Sequence, residues 1–555
     1  MSSNESAALS GGVGVLEGLR TRAKDILKQA RAGDSVVIAR LRTLLPRLEP
    51  LDDTAVAESI VLADVQHAIA RQNGKASWSE LKNHIHSLDP IHIQAGRFLA
   101  AIRDNHVDRA KRLLDQFPRL RSHSAHTAAA ACDAAELETL LQRNPTAATA
   151  PAATADDQPL IYLCQSTFFK SDEATRASSL RCAELLLDAG ASPNASVALD
   201  DTEGRIAALY FACVSNNTGI VRLLLERGAN PNDGESVYHS AEFDHRECLQ
   251  LLVQYGADIS GAHPQFHNTP LYFLAGYKPF SRSCASSERG MQWLLEHGAD
   301  PNVSSLDDAT GAERASRPLH RIAAYGKGVH VAAMLVEHGA EVNAPRGDGK
   351  TAYALAVRTG NVPVAAYLLE HGADSTNVAP VDDFIGACVR GGRDAALRLT
   401  AAHPGLLARM TVEDKHTLAL AAEEDNQAAV RLMIDLGWDI TAEGEWGGTA
   451  LHHAAWHGRP EMTRLLLSLG APVNFRDSSF GSSPLAWAAH GSVNGRAGHD
   501  DEYCEVVELL LDAGSTREAS YNKWSESPES MSSKAVARLL RRRGFAPLTS
   551  DDGQA

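Results

Sequence analysis

The chain has 555 residues, of which 44% are hydrophobic and 22% are charged, a balance typical of a globular protein and not of a disordered one. Its 53 Lys and Arg against 69 Asp and Glu give a formal net charge of −16, which argues against a general binder of nucleic acid or anionic membranes. Because no secretory hydrophobic region follows Met1 and no apolar run approaches the ~20 residues of a membrane span, we expect a cytoplasmic protein without a membrane partner.

The eight cysteines are scattered along the chain, and no two of them form a Cys-x-x-Cys pair. Several lie inside alanine-rich helical patterns, as at residues 209–213. This distribution favours buried, reduced thiols over a disulfide framework or a zinc site.

The N-terminal part of the chain is built differently from the rest. Residues 1–12 are rich in Ser and Gly and are predicted to form a disordered tail. Residues 13–92 carry helical periodicity, which is interrupted at Gly33 and again at Gly74. Ser77 is expected to cap the short helix that follows the second break, with Glu80 in the capping-box position. We therefore predict a small helical N-terminal region.

A repeated pattern occupies residues 93–520. Its clearest element is a run of apolar residues followed by a Gly-Ala turn, as in LLLERGANPN and WLLEHGADPN. Two spacings between turn glycines, 339 to 372 and 437 to 470, are each 33 residues. Degenerate units end in a proline instead of the glycine turn. The nine turn glycines are Gly190, Gly228, Gly256, Gly298, Gly339, Gly372, Gly437, Gly470 and Gly514.

The best-formed unit spans residues 448–474. Thr449 is expected to cap its first helix, and Gly458 ends that helix. Met462 begins an apolar stripe at positions i, i+3, i+4 and i+7 of the second helix, and Gly470 stands where a left-handed residue closes it. Because so short a unit cannot bury its stripe alone, it needs a neighbour on each side.

The sequence of this unit resembles the ankyrin repeat. Residues 448–455 read GTALHHAA and residues 465–474 read LLLSLGAPVN, close to both halves of that family's motif of about 33 residues. The resemblance implies an all-α ankyrin-repeat solenoid of about twelve helix-turn-helix repeats with short β-hairpin fingers. It also implies that His452, at the motif's histidine, makes local turn hydrogen bonds. The whole organisation is similar to bacterial multi-ankyrin-repeat proteins with a helical N-terminal region.

Long spacings between some units indicate insertions, which on repeat scaffolds are either functional ornaments or tolerated surface drift. The sequence leaves both readings open. The inserted segments are residues 168–178, 278–288 and 492–501 within units, and 195–204 and 304–316 between units.

The last segment, residues 521–555, is predicted to contain a linker, a capping helix and a tail. Val536, Leu539 and Leu540 form one apolar face of that helix, and three arginines follow at its C-terminus. Arginines there complement the helix dipole, so a terminal cap explains them better than a nucleic-acid signal.

The search for catalytic patterns finds only near misses, and we expect neither an enzyme nor a bound cofactor or metal. Gly349-Lys350-Thr351 resembles the end of a phosphate loop, but the required leading glycine is Ala344. His263 and His267 stand four apart, yet the proline between them argues against a helical metal site.

Ankyrin arrays bind partners through finger tips and through inner-helix positions after the Ala-Ala pair, and the resemblance carries this to particular residues. The two cleanest units place Trp446 and Phe480 on successive fingers, and because these residues are 34 apart we expect them side by side. The post-Ala-Ala positions are Trp456, His457 and His490. Together these five residues are the predicted partner-binding patch. The alternative is that the rings pack on each other or on the 492–501 insertion.

A second stripe occupies the position after the motif histidine, and it resembles a graded binding groove. In ankyrin repeats this position is often leucine and packs between units, so we interpret the stripe as core. Its members are Tyr162, Phe211, His239, Phe273, Arg321, Leu355, Leu420, His453 and Trp487.

These patterns predict a non-catalytic scaffold that binds a protein partner on the concave and finger face of the array, and that is monomeric. One alternative is an enzyme or small-ligand binder whose site is formed by the N-terminal region or the inserted loops. Another is a structural protein in which residues 1–90 mediate self-association.

Overall fold

The computed structural model describes most of the chain and divides it into two units, residues 1–258 and 259–555. Of the predicted tail, residues 1–11 lie outside the described residues, as do parts of four inserted segments. The described residues are 12–78, 80–82, 91–152, 157–198, 204–276, 284–305, 315–496 and 498–545.

The first unit begins with a helical region whose hydrophobic core is drawn from residues 23–81, and four of its helices lie wholly within the described residues. The predicted break at Gly33 is present, with φ of 83°, and Asp34 accepts hydrogen bonds from Val36 N and Val37 N to cap the next helix. The predicted cap at residue 77 is also present, because Glu80 N–H donates to Ser77 Oγ over 3.1 Å. The four helices are α1 (Gly12–Arg31), α2 (Ser35–Leu44), α3 (Asp53–Ser59) and α4 (Leu62–Gln72).

The remainder of the first unit consists of paired helices and one β-hairpin. The hairpin joins two antiparallel strands with Val197 opposite Ile206, which confirms a short hairpin finger at this insertion. The elements are α5 (Ile91–Arg103), α6 (Val107–Gln116), α7 (Ala125–Ala130), α8 (Ala134–Arg143), α9 (Pro159–Gln165), α10 (Glu173–Asp188), β1 (Ser196–Ala198), β2 (Arg205–Ala207), α11 (Ala208–Val214), α12 (Thr218–Glu226), α13 (Ser236–Glu242) and α14 (Arg246–Gln254).

The second unit continues the same pattern of short helices. Its elements are α15 (Pro270–Ala275), α16 (Cys284–Glu296), α17 (Pro318–Ala324), α18 (Val329–Glu337), α19 (Ala352–Arg358), α20 (Val362–Glu370), α21 (Pro380–Val389), α22 (Arg393–Ala402), α23 (Val412–Glu423), α24 (Gln427–Asp435), α25 (Ala450–Trp456), α26 (Pro460–Ser468), α27 (Pro484–Asn494), α28 (Asp500–Asp512), α29 (Pro528–Met531) and α30 (Lys534–Arg542).

Helices α5 to α28 form twelve successive pairs within the described residues, in line with the predicted number of repeats. The second helices of nine pairs end at the predicted turn glycines, and all nine have φ between 87° and 95°. Only glycine adopts this left-handed conformation without a steric cost, so the sequence specifies where each of these helices stops.

The asparagine after the Gly-Ala turn joins neighbouring repeats. The Nδ2 of Asn302 donates to the Gly339 carbonyl over 2.9 Å, and its Oδ1 accepts from Glu341 N–H over 2.8 Å. One side chain therefore satisfies an acceptor and a donor in the next turn, which explains the recurring Pro-Asn and Val-Asn signatures. The same pair of bonds is made by Asn194, Asn232, Asn343 and Asn474.

The motif histidines also act within the fold. Thr449 N–H donates to His452 Nδ1 over 3.1 Å, while His452 Nε2 bonds the Ser482 carbonyl over 3.0 Å, so the predicted turn hydrogen bonds are present. His320 bonds the Ala344 carbonyl over 2.8 Å in the same way. Burial lowers the pKa of both histidines to about 4, because removing the charged imidazolium from water costs free energy and favours the neutral ring.

The C-terminal helix α30 closes the core of the second unit with the predicted face of Val536, Leu539 and Leu540, all of which are buried. The preceding segment differs from the expected linker. We call residues 521–531 the C-terminal strap. This segment packs against the array, since Asn522 is buried and α29 contacts α27. No helix among the described residues has both the length and the apolar character needed to cross a membrane.

Candidate partner-binding site

A cavity of ≈ 780 Å³ opens in the second unit, and we call it the aromatic cavity. Its walls come from the first helices of three successive pairs, α23, α25 and α27, from two fingers, and from the C-terminal strap. Its volume lies within the range of sites that enclose small molecules or peptide side chains. The structure brings all five predicted residues to this one cavity: Trp446, Trp456, His457, Phe480 and His490.

Two neighbouring fingers supply the outer wall. Their rings, Trp446 and Phe480, lie side by side as expected, with centroids 6.4 Å apart and planes inclined by 23°. The first finger is closed by a bridge between Glu443 and Thr449. Ser478 Oγ of the second finger donates to the Glu443 carboxylate over 2.7 Å, so the two fingers are tied to each other.

The backbone of Trp446 has an uncommon conformation. Its φ of 59° lies in the left-handed region, and the residue as a whole is 62% exposed. This conformation costs a residue other than glycine roughly 1–2 kcal/mol. Trp446 thus combines high exposure and this backbone cost with a ring contact to Phe480.

A buried carboxylate fixes the second finger and the floor of the cavity. Asp477 Oδ2 accepts hydrogen bonds from Ser482 N–H over 2.8 Å and from Trp487 Nε1–H over 3.1 Å. Its Oδ1 accepts from Phe480 N–H. Asp477 therefore holds the backbone of Phe480 and the indole of Trp487 in one arrangement, and the two rings lie 6.1 Å apart.

The end of α25 is equally constrained. Tyr503 Oη donates to the Trp456 carbonyl over 2.8 Å, and a Cβ at Gly491 would come within 2.3 Å of the same oxygen. The Trp456 ring meets Trp487 at 6.0 Å and His490 at 5.1 Å, both nearly edge-on. Trp456 is therefore part of a continuous aromatic wall whose position is set by close backbone packing.

The C-terminal strap completes the cavity, and the sequence analysis missed its contribution. Trp524 and Met531 line the cavity, and the Trp524 ring lies 6.3 Å from Phe480. Lys523 N–H donates to the Phe480 carbonyl over 2.8 Å, which attaches the strap to the second finger. A lone tryptophan in an otherwise polar segment was the available signal.

One wall is polar. The buried Glu423 carboxylate lies 3.4 Å from His453 Nδ1 and 3.6 Å from His457 Nε2. His453 Nε2 bonds the Glu445 carbonyl over 3.1 Å. These groups pair with one another, and across the described parts of the chain no set of three His, Cys, Asp or Glu side chains has a metal-binding arrangement.

The stripe interpreted as core follows that prediction only in part. Tyr162, Leu355, His453 and Trp487 are buried, and the last two also line the aromatic cavity. Leu420 is 37% exposed, so the interpretation is wrong there. The burial of the position after the motif histidine therefore differs from repeat to repeat.

The fold defines a helical-repeat protein, and its second unit carries the aromatic cavity. A family model described as "Ankyrin repeats (3 copies)" matches residues 172–263, 282–378, 387–477 and 418–523, together more than half of the chain. The chain belongs to the ankyrin-repeat family, whose repeats are protein–protein interaction modules.

Similar proteins carry the same repeats. Human ankyrin repeat and SOCS box protein 16 is 28% identical over 223 residues, which are 33% of this chain and 46% of that protein. Human Rabankyrin-5 is 26% identical over 231 residues, 41% of this chain and 18% of that protein. The solved ankyrin repeat domain of human ASB11 is 25% identical, with 45% of this chain and 98% of that chain covered and a TM-score of 0.34. The chain thus spans less than half the length of ankyrin repeat and SOCS box protein 16 and of Rabankyrin-5.

Proposed function

We propose that this chain is a non-catalytic binding protein that holds a segment of a protein partner in the aromatic cavity. The observation that carries the proposal is the concentration of aromatic side chains at one place. Four of the seven tryptophans of the chain, Trp446, Trp456, Trp487 and Trp524, line this single cavity. Tryptophan is the residue type most enriched among interface residues that dominate binding energy.

The arrangement suits a bound segment more than a flat protein surface. The cavity is concave, and close backbone packing and the buried Asp477 hold its rings in place, so little ordering is required when a ligand enters. Fingers, inner helices and strap build it together. This favours a binding scaffold over the alternative of an enzyme or ligand site formed by the N-terminal region or the inserted loops.

We further propose that the protein acts as a monomer in the cytoplasm. The described cysteines carry unpaired thiols, most of them buried, as is usual in a reducing compartment. Sedimentation of the full chain and localisation of a fluorescent fusion in the native host test these two points separately.

The binding proposal is tested by selecting peptides from a random library displayed on phage against the immobilised full chain. Selected peptides are then measured on the double variant Trp446→Ala with Phe480→Ala. We expect their affinity to fall by at least about tenfold, because truncating aromatic anchors typically costs more than 1 kcal/mol. Thermal unfolding of the variant should stay near that of the wild type, since Trp446 is largely exposed and Phe480 is only partly buried.

Phe266 offers a matched control in the same unit. It is an exposed aromatic residue, 54% accessible, and it lies outside the residues that line the aromatic cavity. Phe266→Ala should bind the selected peptides like the wild type. Peptides that bind the double variant and the wild type equally would overturn the proposal, and a large fall in melting temperature would show that the rings belong to the core.

A further inference from the structure

The walls of the aromatic cavity present several ring faces at different angles. The Trp446 and Phe480 rings are nearly parallel, whereas Trp456 and Trp487 meet at 74° and Phe480 and Trp487 at 59°. Aromatic faces carry negative electrostatic potential, so rings that converge from different directions favour a positive charge between or above them.

The charged side chains that line the aromatic cavity are carboxylates. Glu423, Glu445 and Glu526 line the cavity, and the part of its lining that the structure describes contains neither Lys nor Arg. Glu445 and Glu526 are exposed, so they can meet the charge of an incoming ligand. The net charge of −16 for the whole chain adds to the attraction of cations.

The chain already places a cation of its own on two of these rings. Lys523 Nζ lies 4.7 Å from the centroid of Trp524 and 5.9 Å from that of Phe480. Its ammonium also donates to the Ser479 carbonyl over 2.8 Å. Both distances fall within the ≈ 6 Å at which cation–π attraction operates, so the faces of these two rings already attract a cation within the folded chain.

We propose that the aromatic cavity recognises an arginine side chain of the partner segment. This inference rests on the proposed function and adds the chemistry of its ligand. A guanidinium is planar and weakly hydrated, so it can stack on Trp446 or Trp456 at a low cost in lost water. It also offers paired N–H groups to a carboxylate such as Glu445 or Glu526. A lysine ammonium is more strongly hydrated and lacks the planar face.

The seven tryptophans provide a direct assay on the full chain. Labelling with 5-fluorotryptophan reports on Trp446, Trp456, Trp487 and Trp524 in the cavity, while the other three tryptophans lie elsewhere and serve as internal controls. The probes are N-acetyl-arginine methylamide and its neutral isostere, N-acetyl-citrulline methylamide. Their ¹⁹F titrations are compared, and resonances are assigned by single Trp→Phe replacements.

We expect the arginine probe to shift the cavity resonances and leave the three control resonances unchanged, with an affinity at least about fivefold higher than that of the citrulline probe. The preference should disappear in Trp446→Ala and persist in Trp446→Phe, which keeps an aromatic face. Equal affinities for the two probes, or shifts confined to the control tryptophans, would overturn the inference.

The two proposals fail in different ways. Cavity-dependent peptides that tolerate replacement of every arginine by citrulline would leave the binding function standing and overturn arginine recognition. A selective arginine titration without cavity-dependent peptides would instead contradict the protein-segment function and support the cationic site.

Discussion

A half-buried histidine in the first unit should make the stability of the chain depend on pH. His239, on α13, lies between two carboxylates, with Nδ1 2.6 Å from Glu242 and Nε2 3.2 Å from Glu235. Burial by itself lowers the pKa of this histidine, but the hydrogen bonds and charges of the two glutamates outweigh it and raise the pKa to about 9. The imidazolium therefore persists in the folded chain well above the ordinary value of 6.5.

The sign of the effect follows from that difference. Below pH 6.5 the histidine is protonated in both the folded and the unfolded chain, and its full stabilising contribution is present. Between 6.5 and 9 the unfolded chain has lost the proton while the folded chain keeps it, so stability falls as the pH rises. The shift in pKa corresponds to a loss on the order of 3 kcal/mol in the free energy of unfolding across this pH window.

The assay is urea unfolding of the full chain, followed by far-ultraviolet circular dichroism between pH 6 and 10. The free energy of unfolding is compared between the wild type and His239→Gln, which cancels groups that titrate in both proteins. The stability advantage of the wild type should shrink with rising pH. An advantage of the wild type over His239→Gln that stays constant from pH 6 to 10 would refute the charged ion-pair arrangement.

Three further results are expected. Asn302→Asp should lower the free energy of unfolding by about 1 kcal/mol, because it loses the donor to the Gly339 carbonyl; an unchanged urea midpoint would contradict this. Trp446→Gly should be about 1 kcal/mol more stable than Trp446→Ala, since glycine relieves the left-handed backbone, and equal melting temperatures would count against that strain. Deleting residues 1–90 should leave the array folded, because those helices have a core of their own; loss of array helix in circular dichroism would show that they form an essential cap.

Much of the candidate site could be predicted because the repeat period carries spatial information. Trp446 and Phe480 are one repeat apart, and in a solenoid such positions become neighbours whatever their side chains are. The same logic placed Trp456 and His490 on one concave surface. The structure shows that these residues lie together. That they bind a partner stays a prediction.

Other members of the cavity could not be predicted from the period. Trp524 belongs to a segment outside the repeats, and its position depends on hydrogen bonds between the strap and the second finger. Trp487 was interpreted as core, and it is indeed buried, yet it also lines the cavity. Sequence patterns assign a residue to one environment, whereas large rings often border two.

The sequence by itself determined the helix pairs and the turn glycines, because each depends on chemistry within one unit. Gly470 must be left-handed at its turn. The bonds that Asn302 makes to the next turn became evident only in the structure. Only the tertiary structure decided that two fingers, three inner helices and the strap enclose a single aromatic cavity, and that His239 lies between two carboxylates. The cavity brings together residues that are distant in sequence, and the contacts of His239 depend on side-chain conformations that residue spacing does not specify. Both therefore arise only when the repeats pack.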